Sequence, residues 1–179
     1  MPPKRPSRTP LCVWPTPGNR SRGWVSLGPL RFPCALGKGG VTRFKREGDG
    51  ATPVGSLPIR RVWWRAEHGP RPRTLLPMRR SRPEDGWCDA PADRNYNRPV
   101  HLPYAASHET MQRADALYDL VVELGWNDTP VRKGRGSAIF MHVARPGFRP
   151  TEGCVALRPR DLRVLLGRIS PRTRIVVKA

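Results

Sequence analysis

Residues Ser137–Leu157 read SAIFMHVARPGFRPTEGCVAL. The stretch opens on an apolar run, Ala138–Val143, whose composition suits a β-strand and which carries His142 near its end. Ala144–Pro150 follows, rich in Arg, Pro and Gly, the residue types that let a chain reverse. It closes on Thr151-Glu152-Gly153-Cys154. A thiol nucleophile needs a base to make thiolate and small neighbours that leave its target room. Gly153, without a Cβ, supplies the room. His142 is the natural base, because its ordinary pKa lies near neutrality. It precedes Cys154 by twelve positions, so base and thiol meet only if the intervening loop folds back. Each residue alone has a plainer reading. A lone cysteine is commonly a small buried apolar group, and a lone histidine at a strand end is commonly a satisfied core residue. Their shared setting favours nucleophile and base.

Outward from this stretch the chain alternates short apolar runs with Gly and Pro, the pattern of a mainly β domain. Leu30–Leu36 reads as a strand ended by Gly37-Lys38-Gly39-Gly40, with Val41–Lys45 as its partner. Gly48–Gly55 reads as a loop, with Asp49 and Thr52 fixing a turn through side-chain bonds to the backbone. Leu57–Arg65, Leu117–Leu124 and Arg174–Lys178 read as strands. Arg79–Ser107, with Pro83, Pro91, Pro99 and Pro103, reads as a long irregular segment able to wall a groove. His101 and His108 fall in or beside it as loop residues, His108 as a possible groove border. Trp63, Trp64, Trp87 and Trp126 are core candidates. One helix is predicted after Pro159, which suits a first helical turn. Leu162, Leu165, Leu166 and Ile169 give it one apolar face, and Ser170-Pro171 stops it. Residues 1–21, rich in Pro, Arg, Ser and Thr, read as a disordered basic tail, and 22–179 as one folded domain.

Thirty-three Lys and Arg against fourteen Asp and Glu leave a formal charge of +19 in 179 residues. That balance suits polyanions such as nucleic acid or anionic wall polymers. The basic residues are scattered, however, and no nucleic-acid-binding motif is recognisable, so no specific nucleic-acid partner is expected. Cys12, Cys34, Cys88 and Cys154 form no CxxC pair, so neither a metal site nor any other cofactor is expected. No run approaches the eighteen or so apolar residues of a membrane span. Leu11–Trp14 is too short for a secretory apolar region. Sequence alone therefore points to a soluble, cytoplasmic chain.

The segment around Cys154 resembles the signature of the L,D-transpeptidase catalytic domain, the YkuD family: a histidine, a variable loop, then Ser/Thr-His-Gly-Cys and an apolar residue. His142, Thr151, Gly153, Cys154 and Val155 match it. Lys45-Arg46-Glu47-Gly48-Asp49-Gly50-Ala51-Thr52-Pro53-Val54-Gly55 is similar to the family's upstream DGxTPxG loop. Together the resemblance covers about Trp24 to Lys178. Two departures stand out. Glu152 replaces the usual histidine before Gly-Cys, and Ala156 replaces the usual arginine after the cysteine.

The resemblance implies a β-sandwich with one or two packed helices, located in the cell envelope or periplasm. It also implies a cysteine acyltransferase acting on peptidoglycan stem peptides through a thioester. Cys154 would be the nucleophile and His142 the proton donor and acceptor, with the N–H groups of Gly153 and Cys154 as the oxyanion site. Arg145, between base and nucleophile, is the candidate to hold a substrate carboxylate, with Arg158 next in line. Thr151 and Glu152 stand beside it as substrate contacts. Two alternatives stay open: an L,D-carboxypeptidase or amidase hydrolysing the same peptides, and a non-catalytic basic module binding anionic polymers.

Overall fold

The computed structural model describes residues 9–179. The chain opens with three strands, β1 (Leu11–Thr16), β2 (Asn19–Leu27) and β3 (Leu30–Ala35), joined by the two-residue turns Pro17-Gly18 and Gly28-Pro29. The reading of residues 1–21 as a tail is therefore corrected from residue 9 onward; its first eight residues lie outside the described ones. Composition misled because only two side chains are needed to seat β1. Leu11 and Val13 point inward and are fully buried, while Cys12 and Trp14 point outward. Backbone pairing on both sides of the strand does the rest, antiparallel to β2 and parallel to a C-terminal strand.

β4 (Val41–Thr42) and β5 (Thr52–Pro53) pair with each other, not with β3 as expected for Val41–Lys45. The glycines after Leu36 turn the chain away before a hairpin with β3 can form. The long β6 (Gly55–Trp64) is next, then β7 (Met78–Arg80). β8 (Asp85–Cys88), β9 (Arg98–His101) and β10 (His108–Thr110) make a small separate sheet in the order β10-β8-β9. The segment Arg79–Ser107 is thus more regular than its prolines suggested. Pro99 sits on β9, an edge strand, where a missing N–H costs no ladder bond.

β11 (Leu120–Leu124) starts later than its apolar pattern predicts. Asp115 accepts the Leu117 N–H and starts a 3₁₀ turn over Ala116–Tyr118 instead. β12 (Phe140–Val143), β13 (Val155–Leu157), the helix α1 (Pro159–Leu166) and β14 (Arg174–Val177) complete the fold.

The main sheet runs β11-β12-β13-β3-β2-β1-β14-β6-β7, and β11 also pairs with β6. That pairing closes the circuit of strands on itself and leaves few unpaired edges. The fold is mainly β, with the one α-helix packed on it. The helix ends at Leu166, earlier than its apolar spacing predicts; its Leu162, Leu165 and Leu166, and Ile169 just beyond the turn at Gly167, are all buried in the core with Leu11, Val13, Val25 and Ile175. A second apolar cluster is built on Trp63, Trp87, Met111, Tyr118 and Phe140, and Cys154 belongs to it.

Candidate active site

β12 and β13 lie side by side and parallel, with His142 opposite Ala156. Side chains alternate across a sheet with period two, so Ala156 shares a face with His142. Cys154, two residues before Ala156, continues that face. The loop Ala144–Pro150 has folded back as its composition predicts, and a 3₁₀ turn over Pro146–Phe148 makes the reversal. His142, Cys154 and Ala156 all line one cavity of about 300 Å³.

The turn that presents Cys154 is internally braced. Thr151 Oγ1 accepts the Gly153 N–H at 3.1 Å and donates to the Cys154 carbonyl at 2.7 Å. Its backbone is tied to the segment after β3, through Thr151 N–H to the Leu36 carbonyl and Lys38 N–H to the Thr151 carbonyl. Gly153 has φ 132, where L side chains are strained, and a Cβ there would stand 2.9 Å from the Ala51 carbonyl oxygen. The space left by the missing Cβ thus admits the Asp49–Thr52 loop. That loop is fixed as expected: Asp49 accepts from the N–H groups of Arg46 and Ala51, and Thr52 Oγ1 from Gly37.

Cys154 is buried. Its thiol donates to the Ala138 carbonyl at 3.2 Å, and its sulfur accepts the Phe140 N–H at 3.4 Å. Burial pushes the thiol up to about 12, and the charge of Glu109 adds to the rise, while Phe140 N–H and Lys45 oppose it. His142 is buried as well. Nδ1 lies 2.8 Å from the Val143 carbonyl. A carbonyl only accepts, so Nδ1 carries the proton and Nε2 is left as the basic nitrogen. This carbonyl is the group that orients the imidazole. The Tyr118 ring packs edge-on to the imidazole, centroids 5.2 Å apart, and Tyr118 in turn packs on Phe140 and donates its hydroxyl to Glu109. Burial lowers His142 to about 4, with the Arg113 and Arg145 charges acting in the same direction. Burial thus favours the neutral form of both groups, which line the same cavity. That arrangement suits nucleophilic attack with general-base assistance.

The family model of the L,D-transpeptidase catalytic domain (YkuD) matches residues 22–177. The chain belongs to this family. Comparison with curated proteins and with solved structures returned no match. β1 lies ahead of the region this YkuD match covers and is part of the same sheet. L,D-transpeptidase domains act on peptidoglycan peptides. Among the described residues of this one, no helix is long and apolar enough to cross a membrane. No group of three or more His, Cys, Asp or Glu gathers there as metal ligands.

The remaining site candidates separate in this YkuD structure. Arg145 is exposed, lines the cavity and has no ion-pair partner among the described residues. Arg158 stacks on Phe148 outside the cavity. Thr151 lines the cavity, and its hydroxyl also braces the turn, donating to the Cys154 carbonyl and accepting the Gly153 N–H. The Gly153 N–H is likewise committed to Thr151, so it is not a free oxyanion donor; no hydrogen bond of the turn engages the Cys154 N–H. Glu152 is exposed at the rim and pairs with Lys38 at 2.7 Å. Ala156 is buried beside His142 and leaves open the space that a longer side chain would fill. His108 bonds to the Ala106 carbonyl outside the cavity, and its neighbour Glu109 lines it instead.

Sequence reasoning missed Lys45, Glu109, Arg113 and Tyr118 in the cavity wall. Lys45 opens the loop that carried the family resemblance, which is the one local signal any of them had. The others come from segments whose spatial neighbours are distant in sequence.

Proposed function

We propose that this YkuD domain is a cysteine-dependent L,D-transpeptidase that acts on peptidoglycan stem peptides in cell wall biogenesis. The observation that carries the reading is the β12–β13 register. It sets Cys154 and His142 on one face of adjacent strands and in one cavity, with the imidazole locked by Val143 so that Nε2 is the base.

The thiol and the imidazole are both neutral at rest, so the sulfur loses its proton to His142 as it attacks and not beforehand. The S–C bond forms at the carbonyl of the stem peptide's third residue, and the carbonyl π electrons move to oxygen. In this reading the Cys154 N–H donates to that oxygen. Collapse of the intermediate breaks the C–N bond to the terminal D-alanine, whose amine takes the proton from His142. A thioester on Cys154 remains. The amine of a second stem peptide then attacks it, giving its proton to His142, and the sulfur leaves with that proton. Arg145, unpaired at the cavity edge, is positioned to hold a carboxylate of the donor with its planar fork. With water in place of the amine the same steps are hydrolysis.

The test is intact-protein mass spectrometry after incubation with a stem tetrapeptide. The expected result is a mass gain equal to the tetrapeptide minus D-alanine, localised to Cys154 and absent from Cys154→Ser. An adduct that persists in Cys154→Ser, or no adduct and no released D-alanine from folded protein, overturns the assignment.

A further inference from the structure

With the Gly153 N–H committed to Thr151, the turn itself offers a developing oxyanion one amide, that of Cys154. Oxyanion sites ordinarily present more than one donor. A further donor is present nearby. Lys45 is 3% exposed, in a residue type that is almost never buried without a reason. It lines the same cavity as Cys154. A Cβ built on Gly153 would stand 3.5 Å from its Nζ, and one built on Gly136 would stand 2.9 Å from its Cε. Two glycines therefore form the slot in which the side chain lies, and its ammonium ends against the turn that carries the nucleophile.

The hydrogen-bond count points the same way. An ammonium has three N–H donors. Among the described residues Lys45 Nζ donates to a single acceptor, Asp49 Oδ1. That oxygen also receives the Ala51 N–H, and Asp49 Oδ2 receives the Arg46 N–H. Two N–H bonds of a buried cation thus have no partner in the described structure. A purely structural Lys–Asp link across four residues would close its loop equally well in solvent. It would not require the cation to be buried at the nucleophile's turn, in a slot that two missing Cβ atoms keep open.

We propose that Lys45 is a catalytic residue of this site, donating to the substrate carbonyl oxygen as it becomes an oxyanion and favouring the ionised sulfur of Cys154 through its charge. The proposal rests on the reading of Cys154 as nucleophile. Lys45 keeps its proton throughout. When the S–C bond forms, the carbonyl electron pair moves to the oxygen, which rests against Lys45 Nζ and the Cys154 N–H. When the C–N bond breaks, that pair returns to rebuild the carbonyl, and the leaving amine takes its proton from His142. The lowering influence of Lys45 on the thiol agrees with this placement.

The test reads alkylation of Cys154 by iodoacetamide, located by peptide mass spectrometry, from about pH 7 to 10, where thiolate content sets the rate. Lys45→Met, Lys45→Arg and Asp49→Asn are compared with the unmodified chain, each checked by its thermal melt. Lys45→Met is expected to slow alkylation by about tenfold, as for a rise of about one pKa unit. It should slow thioester formation from the tetrapeptide further, by about a hundredfold or more, the cost of losing one oxyanion donor. Lys45→Arg should hold the alkylation rate near that of the unmodified chain. Asp49→Asn leaves the cation without its counter-charge and should speed alkylation while its thermal melt stays that of the unmodified chain; a faster rate with a lowered melt reports exposure of the buried thiol and counts against the proposal. If Lys45→Met folds and alkylates at the unmodified rate across the range, Lys45 is a structural strut and the proposal fails. If Lys45→Met does not fold, an unchanged rate in Asp49→Asn overturns the proposal in its place. Alkylation needs no peptide, so a chain that shifts as expected but forms no thioester refutes the transpeptidase reading and leaves the charge role of Lys45 standing.

Discussion

Replacing Thr151 by valine separates two roles for a residue that both lines the cavity and braces the turn that carries Cys154. Valine keeps the shape and removes the hydroxyl. Two hydrogen bonds vanish together, from the Gly153 N–H at 3.1 Å and to the Cys154 carbonyl at 2.7 Å. A net bond is worth about 1 kcal/mol, and a buried N–H left stranded costs about 1–3 kcal/mol. Gly153 is buried, so the loss should total about 2–3 kcal/mol, or roughly 5–10 °C in melting temperature for a chain of this size. Differential scanning calorimetry of Thr151→Val and Thr151→Ser beside the unmodified protein measures it. Serine keeps the hydroxyl and should melt within about 3 °C of the unmodified chain, corresponding to a cost under about 1 kcal/mol. Thioester formation should fall with the melt in valine and survive in serine. A valine variant that melts like the unmodified protein, yet binds peptide more weakly, would show that Thr151 touches substrate and that the brace is incidental.

Leu11→Ala tests whether β1 is part of the fold. Leu11 is fully buried, so truncation should cost about 2–5 kcal/mol, read as a lower urea midpoint, whereas a residue in an unpacked tail would cost nothing. The buried imidazole makes stability fall with acid. An unfolded histidine takes up its proton near pH 6.5, whereas folded His142 does so at about 4, so between these values the unfolded state binds more protons and gains on the folded one. The urea midpoint should therefore drop more steeply from pH 7 to pH 5 in the unmodified protein than in His142→Gln, and parallel curves would rule out a buried neutral histidine.

Some of this structure was legible in the residues, and the limits have physical causes. Leu162, Leu165, Leu166 and Ile169 repeat with helical period and all four are buried, though the helix itself ends at Leu166, before Ile169. His142 and Cys154 were singled out by a motif resembling the family signature together with the chemistry a thiol nucleophile needs, and the sheet register turns them to one cavity. β1 was missed because two inward side chains are too short a pattern to outweigh a proline- and arginine-rich background. β9 was missed because an edge strand tolerates a proline, here Pro99, that normally argues against a strand, and β8 and β10 because four and three residues are too short to show an alternation. The bond between Thr151 and Gly153 was not legible because a hydroxyl and an amide look equally available in a sequence, and only the closed turn shows that each meets the other. Lys45, Glu109 and Tyr118 meet through folding alone, from segments with no pattern in common.

The parallel pairing of β1 with β14 has a mechanical consequence. The register sets Leu11 against Ile175 and Val13 against Val177, with both strands running the same way. Traction on the chain before Leu11 and after Val177 therefore pulls the two strands lengthwise past each other. Every bond between them is loaded at once, and each strand is also anchored on its other side, β1 by β2 and β14 by β6. A hairpin such as β2–β3, pulled apart from its open end, would surrender its bonds one after another. The two ends of the described chain thus meet in a shear clamp, and stretching by its ends would meet its stiffest resistance at the outset, before the sheet around His142 and Cys154 is disturbed.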